Sequence, residues 1–262
     1  MSWSGFKKSV GRATTQVMMK AGQVEKTNDR DFETECRRYK TMETSSMKLQ
    51  KETKGWLDSV RALTASQCRI AETVDAFYGD AGTADGISRS YKRAVEELDK
   101  DTVKALDGPY RATVLDPINR WCAYFPDVNE AVKKRKDKLT DYDGLRAKVK
   151  KLTEKPDKDA TKLPMAEKEA EAARAQYEAI NATLLEELPQ LVDMRVPYLD
   201  PSFDAVVKLQ MRLASEGYSH MAGVQEYLPK TTRDEYSEGR MDERVEEVLQ
   251  EVRNLSICGS TV

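Results

Sequence analysis

The sequence has little of what most enzyme sites are made from. It contains one histidine, His220, and four cysteines, Cys36, Cys68, Cys122 and Cys258, in 262 residues. A single imidazole excludes most histidine-dependent catalysis and multi-histidine metal centres. The cysteines lie far apart and show no C-x-x-C spacing, so they read as reduced thiols before a zinc site or a disulfide framework. Glycine and proline number 13 and 9, few for a chain built from many turns. No run reaches the roughly eighteen apolar residues that span a bilayer, and the N-terminus has no continuous apolar core of a secretory signal. A cytoplasmic protein is expected. One absence is local. The chain has 45 acidic residues, yet none falls in its first 24, where "SGFKKSVGRATTQVMMK", Ser4 to Lys20, carries Lys7, Lys8, Arg12 and Lys20.

What is present is charge and period. Hydrophobic residues make up 39% and charged residues 34%, the mixture of a few long helices with wide solvated faces. From Phe32 to Phe77, positions spaced alternately three and four apart are mostly apolar or aromatic, among them Tyr39, Met42, Trp56, Val60, Leu63 and Ile70. That register predicts a long amphipathic helix of a bundle or coiled coil, about 69 Å in length. The turn "YGDAGTADG" ends it. A second helical region is expected over 90–155 and a third from after Pro164 to about Leu228. None of the nine prolines lies in the first helix. Pro109, Pro117 and Pro126 fall within the second and Pro189, Pro197 and Pro201 within the third. Interior prolines bend helices, which suggests a curved rod; the alternative is that they end separate short helices. Beyond Pro229 the chain turns acidic, with a short amphipathic helix expected over Met241–Leu255.

Two features point to a binding surface. At the N-terminus Trp3, Phe6, Val10, Ala13 and Val17 form one stripe of a helix and the four bases lie off it, the pattern of a helix in a membrane interface. Gly5, Gly11 and the threonine pair weaken it as a free helix, so it would order on lipid; a core helix or a loose tail is the competing reading. The stretch from Ala131 to Lys162 holds twelve bases, including Lys133, Lys134, Arg135, Lys136, Lys138, Lys155, Lys158 and Lys162, against six acids. A charge run is usually a solvated face, but if this one faces one way it suits a polyanion. Nucleic acid fits poorly, because the net charge is -2 and no nucleic-acid motif appears. Nor does catalysis: "GDAGTADG" lacks the Gly-Lys-Ser/Thr of a phosphate loop, and "DKDAT" lacks the glycine and later glutamate of a calcium loop. No enzymatic activity and no cofactor or metal are expected. The apolar stripe with Trp56, Val60 and Leu63 exceeds what three helices of one subunit can cover, which marks it as a dimer interface.

Four blocks of residues carry a family resemblance. "MSWSGFKKSVGRA", "KETKGWLDSVRALTASQ", "VLDPINRWCAYFPDVNEAVKKRKDKLTDYDGLRAKVKKL" and "YLDPSFDAVVKLQMRLASEGY" resemble the BAR domains of the Bin/amphiphysin/Rvs family, over about residues 1 to 255. "KLTDYD" and "YLDPSF" are the specific elements. The similarity is greatest to fungal Rvs-type proteins consisting of a BAR domain alone and to animal Bin relatives. It implies an all-α fold of three long kinked helices in an antiparallel, crescent-shaped dimer. The expected divisions are an inserting segment over 1–25, the three-helix domain over 26–230, and an acidic helix and tail over 231–262. The resemblance also implies that Lys133, Lys134, Arg135, Lys136 and Lys138 belong to a concave basic cluster and Lys155, Lys158 and Lys162 to a tip. It implies curvature sensing or generation on anionic lipid, at the plasma membrane and cortical actin sites, in endocytosis, actin organisation and cell polarity. Many relatives carry an SH3 domain where this sequence has an acidic helix. Either a homodimer or a heterodimer with a longer, SH3-bearing BAR protein is therefore expected, working with actin-cytoskeleton machinery. The competing reading from another class is a cytoskeletal coiled-coil scaffold that never touches lipid.

Overall fold

The computed structural model describes residues 3–79, 86–255 and 257–258, with the backbone alone at 3–8. All regular structure among the described residues is helical. Helix α1 is Trp3–Lys20, α2 Arg30–Tyr78, α3 Ile87–Glu97, α4 Lys104–Tyr110, α5 Asp116–Ala123, α6 Phe125–Glu154, α7 Lys162–Gln225, α8 Lys230–Ser237 and α9 Met241–Arg253. The expected first and third helices are α2 and α7, of 49 and 64 residues. The second region is a run of shorter helices joined by π-helical turns at Leu98–Val103 and Arg111–Leu115.

The prolines divide the two expectations between them. Pro189, Pro197 and Pro201 lie inside α7, which continues through all three. Pro117 and Pro126 instead stand in the first turns of α5 and α6, where no intrahelical N–H is needed. The π turn Arg111–Leu115 ends two residues before Pro117. Its wider coil gives room to the carbonyl that a proline ring crowds in the turn before it.

The chain forms two compact units, each holding part of α2 and part of α7. The first comprises the residues up to Thr53 with Thr113–Phe203. Its core runs through Phe32, Tyr39 and Met42 on α2, Ile118, Trp121 and Phe125 on α5 and α6, and Tyr177, Leu184, Leu188 and Val192 on α7. Trp121 stacks on Tyr198, meets Phe125 edge-on, and donates its indole N–H to Ser46 Oγ at 3.2 Å. The buried Tyr39 hydroxyl donates to the Phe125 carbonyl and lies 3.2 Å from Asn129 Oδ1; burial pushes this phenol strongly up. The second unit comprises Lys54–Ala112 with the residues from Asp204 onward. Leu57, Thr64 and Ala71 of α2 are buried there, with Val95, Leu98, Leu106 and Tyr110. These three repeat every seven residues and are mostly small, which lets the backbones come close.

The N-terminal connection is tightly specified. Gly22, at φ 72°, ends α1: its own N–H reaches Met19 O and that of Gln23 reaches Met18 O, the paired bonds of a glycine-terminated helix. Asp29 then caps α2, accepting from the Phe32 N–H at 3.1 Å. Between them Thr27 donates from its backbone and hydroxyl to Asp143, a buried carboxylate of α6.

Candidate membrane-binding site

Helices α1 and α6 carry the residues that the sequence marks for lipid, and they pack on each other within the first unit. Residues 137, 141 and 144 share the side of α6 opposite its core-facing Arg135 and Leu139. Onto that side α1 lays its polar face. Arg12 donates from Nε and Nη2 to the two oxygens of Asp141 and from Nη1 to Asp137, each at 2.8 Å. The Asp141 hydrogen bond raises the Arg12 guanidinium further above its usual value, against the opposing effect of burial. One turn along, Thr15 lies against Gly144, where a Cβ would stand 2.7 Å from the threonine hydroxyl.

At about 100° per residue, Val10, Ala13 and Val17 lie across the helix from Arg12, Thr15 and Met19. They therefore face outward: Val10 is 50% exposed and Val17 67%. This reverses the usual arrangement of a surface helix, which buries its apolar stripe. The expectation that the segment is unstructured without lipid meets a helix held by α6. The side chains of Trp3, Phe6, Lys7 and Lys8 lie outside the described residues.

The basic stretch separates into three groups. Lys133, Lys134 and Lys136 are exposed and carry no ion pair among the described residues. Lys155 and Lys158 are exposed at the α6–α7 turn, and Lys162 beside them pairs with Asp157 at 2.8 Å. Lys138 is half-buried and donates to Gln176 at 2.6 Å. Arg135 and Arg12 depart from the expectation. Arg135 is 5% exposed and belongs to the core: it donates to Asn181, Asp29 and Tyr177 and lies 3.7 Å from the centre of the Phe32 ring. A cation held this way cannot reach a bilayer. Burial alone would raise the Asp29 carboxyl, but the Phe32 N–H, hydrogen bonds from Asn181 and Tyr177, and the Arg135 charge outweigh it and hold it below its ordinary value. Arg12 is likewise a docking group, spent on two aspartates. Nothing in the spacing of bases distinguishes these two from their neighbours; only the placement of Asp29, Asp137 and Asp141 does.

In the second unit the expected interface residues fare differently. Trp56 is half-buried against its own chain, with its ring 4.8 Å from Tyr110, and Val60 is half-buried. Leu63 is 59% exposed and begins a row with Ile70 and Phe77, the last 87% exposed. Met211 and Tyr218 on α7, also seven apart, are exposed as well. The last two were not singled out from sequence.

The sequence model of the BAR domain matches residues 6–230. The chain belongs to the BAR domain family. As a BAR protein its function lies in membrane curvature. It is 61% identical over 259 residues to Protein hob3 of Schizosaccharomyces pombe, covering 99% of this chain and 98% of that one. It is 47% identical over 261 residues to the "Regulator of cytoskeleton and endocytosis RVS161" of Candida albicans, at 98% coverage of both. Among solved structures it is similar to the amphiphysin BAR domain from Drosophila, with a TM-score of 0.62 and 26% identity, over 80% of this chain and 96% of that one. No helix among the described residues is long and apolar enough to cross a membrane.

Proposed function

We propose that this BAR protein works as a dimer on the cytoplasmic side of the plasma membrane, where it senses or generates curvature on anionic lipid during endocytosis and cortical actin organisation. Residues 1–25 act as the inserting segment, with Trp3, Phe6, Val10 and Val17 entering the acyl boundary and Lys7 and Lys8 meeting headgroups. Lys133, Lys134, Lys136, Lys138, Lys155, Lys158 and Lys162 supply attraction along α6 and the turn after it. The observation that carries this reading is the outward apolar stripe of α1 alongside Lys133, Lys134 and Lys136 of α6, which are exposed and carry no ion pair among the described residues. The reading involves no catalytic step. The exposed row Leu63, Ile70 and Phe77 is the dimer seam, and the second subunit is either a copy of this chain or a longer, SH3-bearing BAR relative.

Co-sedimentation with phosphatidylserine vesicles tests it. Each basic residue near an anionic surface contributes about 1 kcal/mol, so Lys133→Glu, Lys134→Glu and Lys136→Glu together should abolish binding at physiological salt. Wild-type binding should weaken as salt rises, because exposed charges are screened. A chain that never pellets with vesicles at any salt is a cytoskeletal scaffold instead.

A further inference from the structure

The two aspartates that hold Arg12 stand in the middle of the most basic stretch of the chain. On electrostatic grounds alone an acid there weakens attraction to an anionic surface, so both carboxylates act against the α6 lysines unless they have another task. Their task is visible: three hydrogen bonds to one guanidinium, in a half-buried setting where such bonds are strong. The seat beside them is equally specific, because any side chain at position 144 would displace Thr15. A helix that had to leave its seat before inserting would hide its apolar stripe while seated. Here Val10 and Val17 already face away from α6.

We propose that Asp137, Asp141 and Gly144 are positioning residues for α1, which enters the bilayer while still seated on α6, so that wedge and basic helix act as one body. The proposal rests on the membrane reading above, and a wild-type chain that does not bind anionic vesicles overturns both.

A tether tests it directly. The Thr15 Cβ lies 3.6 Å from an ideal Cβ at position 144, within the roughly 3.5–4.5 Å that a disulfide spans. In a Cys258→Ser background, Thr15→Cys with Gly144→Cys should cross-link on oxidation. The expected result is that the oxidised protein, with α1 cross-linked to its seat, tubulates phosphatidylserine vesicles as the wild type does. Tubulation lost on oxidation and regained with reductant means that α1 must leave its seat, and overturns the proposal. A second pair of variants separates position from charge. Asp137→Asn with Asp141→Asn, and Arg12→Glu with Asp137→Arg and Asp141→Arg, raise the net charge by the same amount, but only the second restores opposite signs. The first should keep vesicle binding, lose tubulation, and speed hydrogen exchange of α1 without vesicles by about tenfold or more, since all three hydrogen bonds to Arg12 lose their charged acceptor. The second should recover protection and tubules. Wild-type tubulation by the first variant, or no recovery in the second, overturns the latch.

Discussion

The two parts of α2 use the same kind of apolar repeat for different ends. In the first unit, Phe32, Tyr39, Met42 and Ser46 are all buried by the chain itself. In the second unit two repeats of seven run side by side. Leu57, Thr64 and Ala71 face the chain's own core, while the bulkier Leu63, Ile70 and Phe77 face outward. The difference teaches that a heptad register identifies a face without identifying what covers it. Small residues let helices of one chain approach closely, and large exposed ones leave area for a second molecule. Helix α1 repeats the lesson, with its polar side on α6 and its apolar side free.

The largest expected effect breaks the comparison at the seam. Ile70→Glu with Phe77→Glu should convert the protein to monomers in sedimentation equilibrium. Each large apolar side chain is worth about 2 kcal/mol on burial, and in a two-fold dimer each substitution counts twice. Tyr39→Ala, on the self-buried part of the same helix, should instead lower folding stability by about 3 kcal/mol, in a melt that shows no added dependence on protein concentration. If the seam substitutions leave the mass unchanged, the outward row has another occupant.

Next comes the contrast inside the basic stretch. Arg135→Ala removes the partner of a shielded carboxylate and should cost about 3 kcal/mol in thermal or denaturant unfolding. Lys134→Ala should leave stability within about 0.5 kcal/mol and reduce vesicle binding alone. Similar melts for the two variants would contradict the burial of Arg135.

The smallest effect is on pH. Asp29 is held below its ordinary range in the folded state. Its stabilisation is therefore complete above the unfolded carboxyl value of about 3.9 and is lost as pH falls through the lower folded value. Asp29→Asn should flatten the acid side of the stability profile in that window, while stability near neutral pH drops because Arg135 loses its counter-charge. An unchanged acid limb would mean that other carboxylates govern it.

Much of the fold was legible because long helices announce themselves by period. The limits of α2 and the amphipathic character of α1 follow from residue spacing, whereas α7, Lys162–Gln225, begins before Pro164 and ends before the expected Leu228. The π turns were not legible, since no residue type marks them and only the crowding ahead of Pro117 gives a hint. The candidate site was legible as a concentration of bases and an acid-free N-terminus. It was not legible which bases are free. Lys134 and Arg135 are neighbours in sequence, only about 100° apart around one helix, yet the first is in solvent and the second in the core.

By itself, the amino-acid sequence determined that the chain is helical, that its helices are long, and that its basic residues gather at one end and in one stretch, because period and composition are local properties. Tertiary structure decided which cations remain available and which way each amphipathic face points. An arginine is a ligand for lipid or a part of the core according to whether a carboxylate from a distant segment, Asp29 or the Asp137–Asp141 pair, comes within hydrogen-bonding distance of it. That distance is set by packing over more than a hundred residues of intervening chain, and no local pattern records it.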